Sequence, residues 1–188
     1  MARVIAVVML AWPIATASAP APPPTQLPTG TEEQKTMKID GPMAAPRATD
    51  EADIRRRMDQ WAKAIGAMDL ERVMSMYAPD IVSFDLEPPL QYAGTEAKRK
   101  AWVRVFAMYQ PGLAYEIRDL AITLGDGVAF SHSLNRLSGT LKNGHRTGSW
   151  VRYTACFQKI GGNWLIVHEQ ISAPVDPVSG RAFLDLQP

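Results

Sequence analysis

Two carboxylates, Asp85 and Glu87, lie in a short proline-containing stretch, residues 83–94, that reads SFDLEPPLQYAG. A carboxylate on a loop between packed elements is well placed to act as a general base or to orient a ligand. An apolar pocket raises the pKa of a carboxyl group toward working pH, which proton abstraction requires. The alternative is that Asp85 only caps the loop. Glu87 directly precedes two prolines and is expected at the rim of such a pocket.

Two histidines are further candidates, because alternating strand patterns place each of them among apolar residues. His132 lies in the run of residues 128–134 and His168 in the run of residues 164–170. His132 suits either a hydrogen-bonded core position or a group that stabilises an oxyanion, whereas His168 and Gln170 are expected to contact a ligand. Histidines and a carboxylate can also bind a metal. The sequence has no closely spaced ligand pair, so we predict neither a metal nor a cofactor.

Aromatic side chains are frequent in the same part of the chain. Such residues usually form only a hydrophobic core, but a cone-shaped fold must use some of them to line its cavity. The residues expected to contact a ligand in this way are Trp61, Tyr77, Trp102 and Phe106. The ligand that this lining favours is a small apolar or aromatic molecule.

Three amphipathic helices precede the long strands, and Ile81, Val82 and Phe84 are predicted to form a short strand between the second and the third. The first is predicted to begin at Thr49 or Asp50, and its apolar residues share one face from residue 54 to residue 68. Asp69 is predicted to cap a short second helix that Pro79 ends. The third opens at Thr95, and its apolar stripe contains Trp102, Val105, Phe106 and Tyr109. Lys98, Arg99, Lys100 and Arg104 are expected to face water.

From Leu113 onward the apolar period changes to two, which is typical of strands. The phase slips at Arg118-Asp119, so we predict a β-bulge there that bends the strand. Asn143-Gly144 is a hairpin signal, and glycine-rich turns separate the other long strands, so neighbouring strands should be antiparallel. The expected fold is α+β: a cone-shaped barrel with three N-terminal helices packed on a curved, mainly antiparallel sheet.

The predicted domain, residues 49–174, resembles the nuclear-transport-factor-2-like superfamily, and within it the branch of SnoaL-like and ketosteroid-isomerase-like proteins. The resemblance is carried by residues 66–69 (GAMD), residues 77–80 (YAPD), the acid loop formed by residues 83–94, Gly94-Thr95 and the closing strand at residues 164–172 (WLIVHEQIS). Such a fold hosts isomerases, cyclases, hydrolases, dehydratases and non-catalytic binders, so the resemblance implies a fold rather than one activity.

The ketosteroid isomerases imply roles for three positions. Asp85 corresponds to their catalytic base. Trp61 stands at the position of their oxyanion-hole tyrosine, and Tyr153 stands at that of their protonated acid. An indole N–H and a phenol can each donate a hydrogen bond. The resemblance therefore implies a retained base with a changed oxyanion hole, in which Tyr153, Trp61 or His132 would stabilise the developing charge.

The remaining segments indicate export. Residues 1–19 have the charge, short apolar core and small-residue cleavage signal of a signal peptide, so we expect a periplasmic or secreted protein without stable membrane insertion after cleavage. Residues 20–48 are rich in proline and alanine and are predicted to be a disordered linker. Residues 175–188 form a C-terminal tail. The net charge of +1 with dispersed basic residues argues against nucleic acid as a partner.

Three functions remain open from the sequence. The first is a pocket that binds a small organic molecule without catalysis. The second is an isomerase, cyclase or dehydratase in which Asp85 acts as general base on a small carbonyl compound. The third is a scaffold module. Under all three, the open face of the sheet is expected to form a homodimer.

Overall fold

A computed structural model describes residues 44–188 of the chain. The predicted signal peptide and most of the predicted linker lie outside these residues. Helix α1 spans Ala44–Gly66, α2 spans Leu70–Met74 and α3 spans Thr95–Met108. Within the described residues, α1 thus begins five residues before the predicted Thr49. None of the helices in this part of the chain combines the length and the hydropathy needed to cross a membrane.

Helix α1 presents its apolar stripe to the interior, as its spacing predicts. Ile54, Met58 and Ile65 are completely buried, and Trp61 is nearly so. Steps of three and four residues place these side chains on one face of the helix. The helix therefore packs across the sheet and covers the hydrophobic core.

Asp69 caps α2 as predicted, because its Oδ1 atom accepts a hydrogen bond from the backbone N–H of Arg72 at 3.1 Å. The prediction that Pro79 ends this helix is wrong. The helix ends at Met74, and Pro79 lies inside the first strand. Pairing with the last strand begins early, since the N–H of Ile166 donates to the carbonyl of Met76 at 2.9 Å. This pairing fixes residues from position 77 in an extended conformation.

Six strands form one sheet. They are β1 (Tyr77–Phe84), β2 (Tyr92–Ala93), β3 (Ala114–Leu124), β4 (Val128–Thr140), β5 (Arg146–Ile160) and β6 (Asn163–Ser172). Their spatial order is β2-β1-β6-β5-β4-β3. The pair β1–β6 is parallel, and the other four pairs are antiparallel. With the helices on its concave face, this curved sheet forms the predicted α+β cone.

A bulge in β3 lies where the sequence predicts one. The register with β4 shifts between Arg118 and Ala121, and Asp119 has a φ of 56°. The residues that face the interior change phase across this bulge, from Tyr115 and Ile117 before it to Leu120 after it. The sheet can therefore curl around the helices without exposing its apolar face.

A second bulge, in β6, has no clear signal in the sequence. Ile166 pairs with Phe157 and His168 pairs with Cys156, so Val167 is an extra residue on its strand. Because side chains alternate across a strand, one extra residue exchanges the two faces beyond it. Glu169 consequently points into the interior and is completely buried. The exchange of faces therefore places the carboxylate of Glu169 in the lining of a cavity.

Candidate functional site

A cavity of about 490 Å³ lies between α1, α3 and the concave face of the sheet. This volume is within the usual range for sites that bind small organic molecules. Aromatic rings form much of its wall, and charged groups lie at one part of it. Its lining includes Trp61, Asp85, Glu87, Tyr92, Lys98, Trp102, Tyr109, Tyr115, Leu137, Val151, Tyr153, Glu169, Ile171 and Leu184.

Lys98 lies at the centre of the charged part of the lining. Its side chain is only 3% exposed. The Nζ atom is 2.5 Å from Oε1 of Glu169 and 3.1 Å from Oδ2 of Asp85. It also donates to Oγ of Ser83 at 3.1 Å. The expectation that Lys98 faces water is wrong, because it precedes Trp102 by four residues and therefore shares the buried face of α3.

Glu169 accepts hydrogen bonds at both carboxylate oxygens. Oε1 receives Ser83 Oγ at 2.9 Å in addition to the ammonium of Lys98. Oε2 receives the hydroxyl of Tyr153 at 2.8 Å and that of Tyr77 at 3.3 Å. A carboxylate has about four acceptor positions, so these four donors occupy Glu169 fully. Its role is to hold the surrounding side chains in place.

The charge states within this cluster follow from burial and pairing. Burial lowers the pKa of Lys98, but the charges of Glu169 and Asp85 raise it by more, so its pKa lies above its usual value. Lys98 is thus an ammonium ion at neutral pH and does not act as an amine nucleophile. Burial, followed by the charge of Glu169, raises the pKa of Tyr77 and of Tyr153 well above 10.0. Both phenols are neutral donors.

Asp85 differs from Glu169 in having acceptor capacity left. Its Oδ1 atom accepts the N–H of Leu86 at 2.8 Å, and its Oδ2 atom is paired with Lys98. Its side chain is 25% exposed, against 1% for Glu169. Asp85 lines the cavity and therefore offers a ligand the carboxylate oxygens that Glu169 cannot offer.

Trp61 combines aromatic packing with an unused donor. Its ring contacts those of Tyr77, Trp102, Tyr115 and Tyr153 at centroid distances of 5.2–6.3 Å. Among the described residues, its buried Nε1 atom has no hydrogen-bond partner. An orphaned buried donor is costly unless a water molecule or a ligand accepts from it. Trp61 lines the cavity, but this N–H is buried within the wall, so a ligand acceptor reaches it only when neighbouring side chains move.

The other aromatic candidates divide between the cavity and the core. Trp102 lines the cavity, and its Nε1 donates to the hydroxyl of Tyr77 at 3.1 Å. Tyr77 is buried behind the lining and belongs to the Glu169 cluster. Phe106 packs against the ring of Trp102 with a centroid distance of 5.5 Å. Tyr153 lines the cavity, but its hydroxyl proton is committed to Glu169 rather than aimed at a ligand.

Three sequence candidates point away from the cavity. His132 shares its face with Phe130, as expected, but this face is the outer one, where both are exposed. The bulge at Val167 places His168 and Gln170 outward as well. The Nδ1 atom of His168 lies 2.9 Å from the carbonyl of Val82. These three residues therefore do not line the cavity, contrary to the expectation that they contact a ligand there.

Glu169 and the buried role of Lys98 were missed from the sequence. The spacing of Lys98 to Trp102 was a usable signal, since residues four apart share a helix face. No comparable signal marks Glu169, because an undisturbed alternation through β6 would point it to solvent. Among the described residues, no group of three histidine, cysteine or acidic side chains is arranged to hold a metal ion.

The C-terminal tail also reaches the cavity. Val175 and Ala182 form an antiparallel bridge, and the N–H of Phe183 donates to the carbonyl of Pro174 at 2.9 Å. These contacts fold the tail back toward the domain and place Leu184 in the cavity lining, while 44% of its surface remains exposed. Leu184 therefore closes part of the cavity from outside.

Known proteins share this architecture. Residues 54–176 match the family described as the SnoaL-like domain. The chain belongs to this family, which is part of the nuclear-transport-factor-2-like (NTF2-like) superfamily. No curated protein matches the chain significantly.

Solved structures of this SnoaL-like domain's relatives agree with the fold. An NTF2-like protein of unknown function from Pseudomonas putida KT2440 is 29% identical, with a TM-score of 0.68 over 75% of this chain and 98% of its own. A ketosteroid isomerase-like protein from Erwinia carotovora atroseptica is 21% identical, with a TM-score of 0.55 over 65% and 96%. An NTF2-like superfamily protein from Salmonella enterica is 15% identical, with a TM-score of 0.63 over 73% and 99%. The last two likenesses concern the fold alone.

Proposed function

We propose that this SnoaL-like domain binds a small, largely apolar organic molecule in the aromatic cavity. The observation that carries the proposal is the pairing of an apolar lining with the carboxylate of Asp85, which has acceptor capacity left, while the unpaired N–H of Trp61 lies just within the wall. Pockets for small molecules commonly combine apolar walls with a few polar groups that fix the orientation of the ligand. The N-terminal sequence supports export, so the ligand would be met outside the cytoplasm.

Native mass spectrometry of the purified protein tests this proposal, because it detects a ligand that is retained through purification. Thermal shift across a broad metabolite panel extends the test to weaker ligands. Ser149→Phe fills the cavity and should abolish both signals, since Ser149 belongs to its lining. Arg146→Phe adds the same ring at an exposed position of the same strand and should leave them unchanged. Absence of any ligand or shift in the wild type would refute a binding role.

A second candidate function is catalysis, and the position of Asp85 favours it. Asp85 lines the cavity and has free acceptor capacity, as a base acting on a carbonyl compound requires. Trp61 would then donate to the developing oxyanion in place of Tyr153, whose proton is committed to Glu169. Incubating the retained ligand with the protein in D₂O separates the two functions. An increase in the mass of the ligand, from deuterium incorporated at carbon, would show proton abstraction, and Asp85→Asn should abolish this increase. An unchanged ligand mass would indicate binding without catalysis.

We also propose that the outer face of the sheet pairs with a second copy of the chain. Val128 and Phe130 are 51% and 47% exposed there, and Phe84 is 39% exposed. Clustered exposed apolar residues are characteristic of interaction surfaces. Phe130→Lys should give a monomer in light scattering if this face forms the dimer, and Leu90→Lys, on the exposed acid loop, is the control. A wild-type monomer at high concentration would contradict the proposal.

A further inference from the structure

The charges that line the cavity are unbalanced. Three carboxylates, Asp85, Glu87 and Glu169, face one ammonium ion, that of Lys98, which is a formal excess of two negative charges. Glu87 is exposed at the rim, so solvent screens much of its charge. The excess that a ligand meets inside the cavity therefore comes from the inner three groups.

Among these inner groups, the unmatched charge lies on Asp85. Glu169 and Lys98 form the closer pair at 2.5 Å, whereas Lys98 is 3.1 Å from Asp85. Glu169 also receives three hydroxyl donors, which disperse its charge. Asp85 receives a single backbone N–H in addition to Lys98. A group that neutralises Asp85 from the cavity side would complete its coordination.

The aromatic walls of the cavity also favour a positively charged group. Trp61, Trp102, Tyr109 and Tyr115 line the cavity, and the faces of such rings attract cations. The cluster already shows this preference, since the ammonium of Lys98 lies 5.6 Å from the centroid of the Trp102 ring. An anionic ligand would meet the carboxylate of Asp85, which repels negative charge. A neutral ligand would leave the excess charge of Asp85 unmatched.

We propose that the cavity selects an organic cation, namely a protonated amine on an apolar or aromatic framework. The ammonium group binds Asp85, and the framework packs against the aromatic walls. An acceptor atom elsewhere on the ligand takes the N–H of Trp61. This inference rests on the proposed binding function and narrows its ligand class.

Three probes of one shape test the charge preference by isothermal titration calorimetry: 1-naphthylmethylamine, 1-naphthalenemethanol and 1-naphthoate. The amine should bind at least about tenfold more tightly than the alcohol, because it gains a charge-assisted hydrogen bond and a cation–π contact. The naphthoate should bind most weakly. In Asp85→Asn the preference for the amine over the alcohol should fall to about one. Asp80→Asn, which removes an exposed carboxylate of β1, should keep the preference.

The outcomes separate the inference from the function on which it rests. Binding of the alcohol or the naphthoate as tightly as the amine to the wild type would overturn the amine preference and leave a binding function intact. A retained ligand without a basic nitrogen in native mass spectrometry would overturn it too. If no probe binds and no ligand is retained, the proposed binding function itself fails. The wild-type comparison stands even if Asp85→Asn does not fold.

Discussion

The substitution Lys98→Met tests the buried charge cluster most sharply. Methionine keeps much of the length of the side chain but removes the ammonium that lies between Glu169 and Asp85. Glu169 is 1% exposed and would lose its cationic partner. Removing one member of a buried ion pair costs about 3–5 kcal/mol, because the charge left behind cannot be solvated. We therefore expect the free energy of unfolding to fall by about this amount, a large part of a domain's total stability.

Urea denaturation followed by tryptophan fluorescence measures the change, provided that the slope with denaturant stays constant. The matched control is Lys63→Met, because Lys63 pairs with Asp59 at 2.6 Å but is 74% exposed. An exposed pair contributes at most about 1 kcal/mol. The double variant Lys98→Met/Glu169→Gln should cost less than the sum of the two single changes, since neither charge is then stranded. Equal, small effects of Lys98→Met and Lys63→Met would refute the buried cluster.

Three further results are expected. Stability should fall as the pH rises above 10.0–10.5, the usual pKa range of tyrosine and lysine. The folded state retains protons on Lys98, Tyr77 and Tyr153 that the unfolded state has released, at about 1.4 kcal/mol per group and pH unit. A urea midpoint equal at pH 8 and pH 11 would contradict this. Trp61→Phe should weaken binding of the naphthylmethyl probes by about three- to tenfold through loss of its N–H, and unchanged affinity in calorimetry would show that Nε1 does not contact the ligand. Leu184→Ala should speed probe dissociation about threefold in stopped-flow measurements, since it removes a half-buried side chain from the cavity wall. An unchanged rate would mean that the tail does not close the cavity.

The sequence predicts the fold well where local patterns decide it. The alternation of β3 changes phase at Arg118-Asp119, and the structure has its bulge there. The stripe on α1 and the cap at Asp69 are local patterns of the same kind, and both are confirmed. The early end of α2 could not be predicted in this way, because it depends on pairing between Tyr77 and Ile166, which are far apart in the chain.

The site is predicted only in part, for a related reason. Asp85, Trp61 and Trp102 lie in the cavity lining, while their roles toward a ligand stay predictions. The bulge at Val167 depends on how β6 fits between β1 and β5, and no local pattern in the sequence of β6 predicts it. That one residue moves Glu169 inward and His168 outward. The burial of Lys98 was missed for a different reason. Its charge suggested exposure, although its spacing to Trp102 places it on the buried face of α3. Two carboxylates, Asp85 and Glu169, offset the cost of burying its charge.

The proposed ligand enters the aromatic cavity and contacts Trp61 there. Titration of the naphthylmethylamine probe into ¹⁵N-labelled protein, observed at the indole N–H signals, tests this contact directly. We expect a large shift for the signal of Trp61, whose N–H is unpartnered among the described residues. The signal of Trp150, which lies on the outer face between Arg118 and Arg136, should stay in place. Movement of the Trp150 signal with an unchanged Trp61 signal would refute binding in the aromatic cavity and would place the probe on the outer face of the sheet.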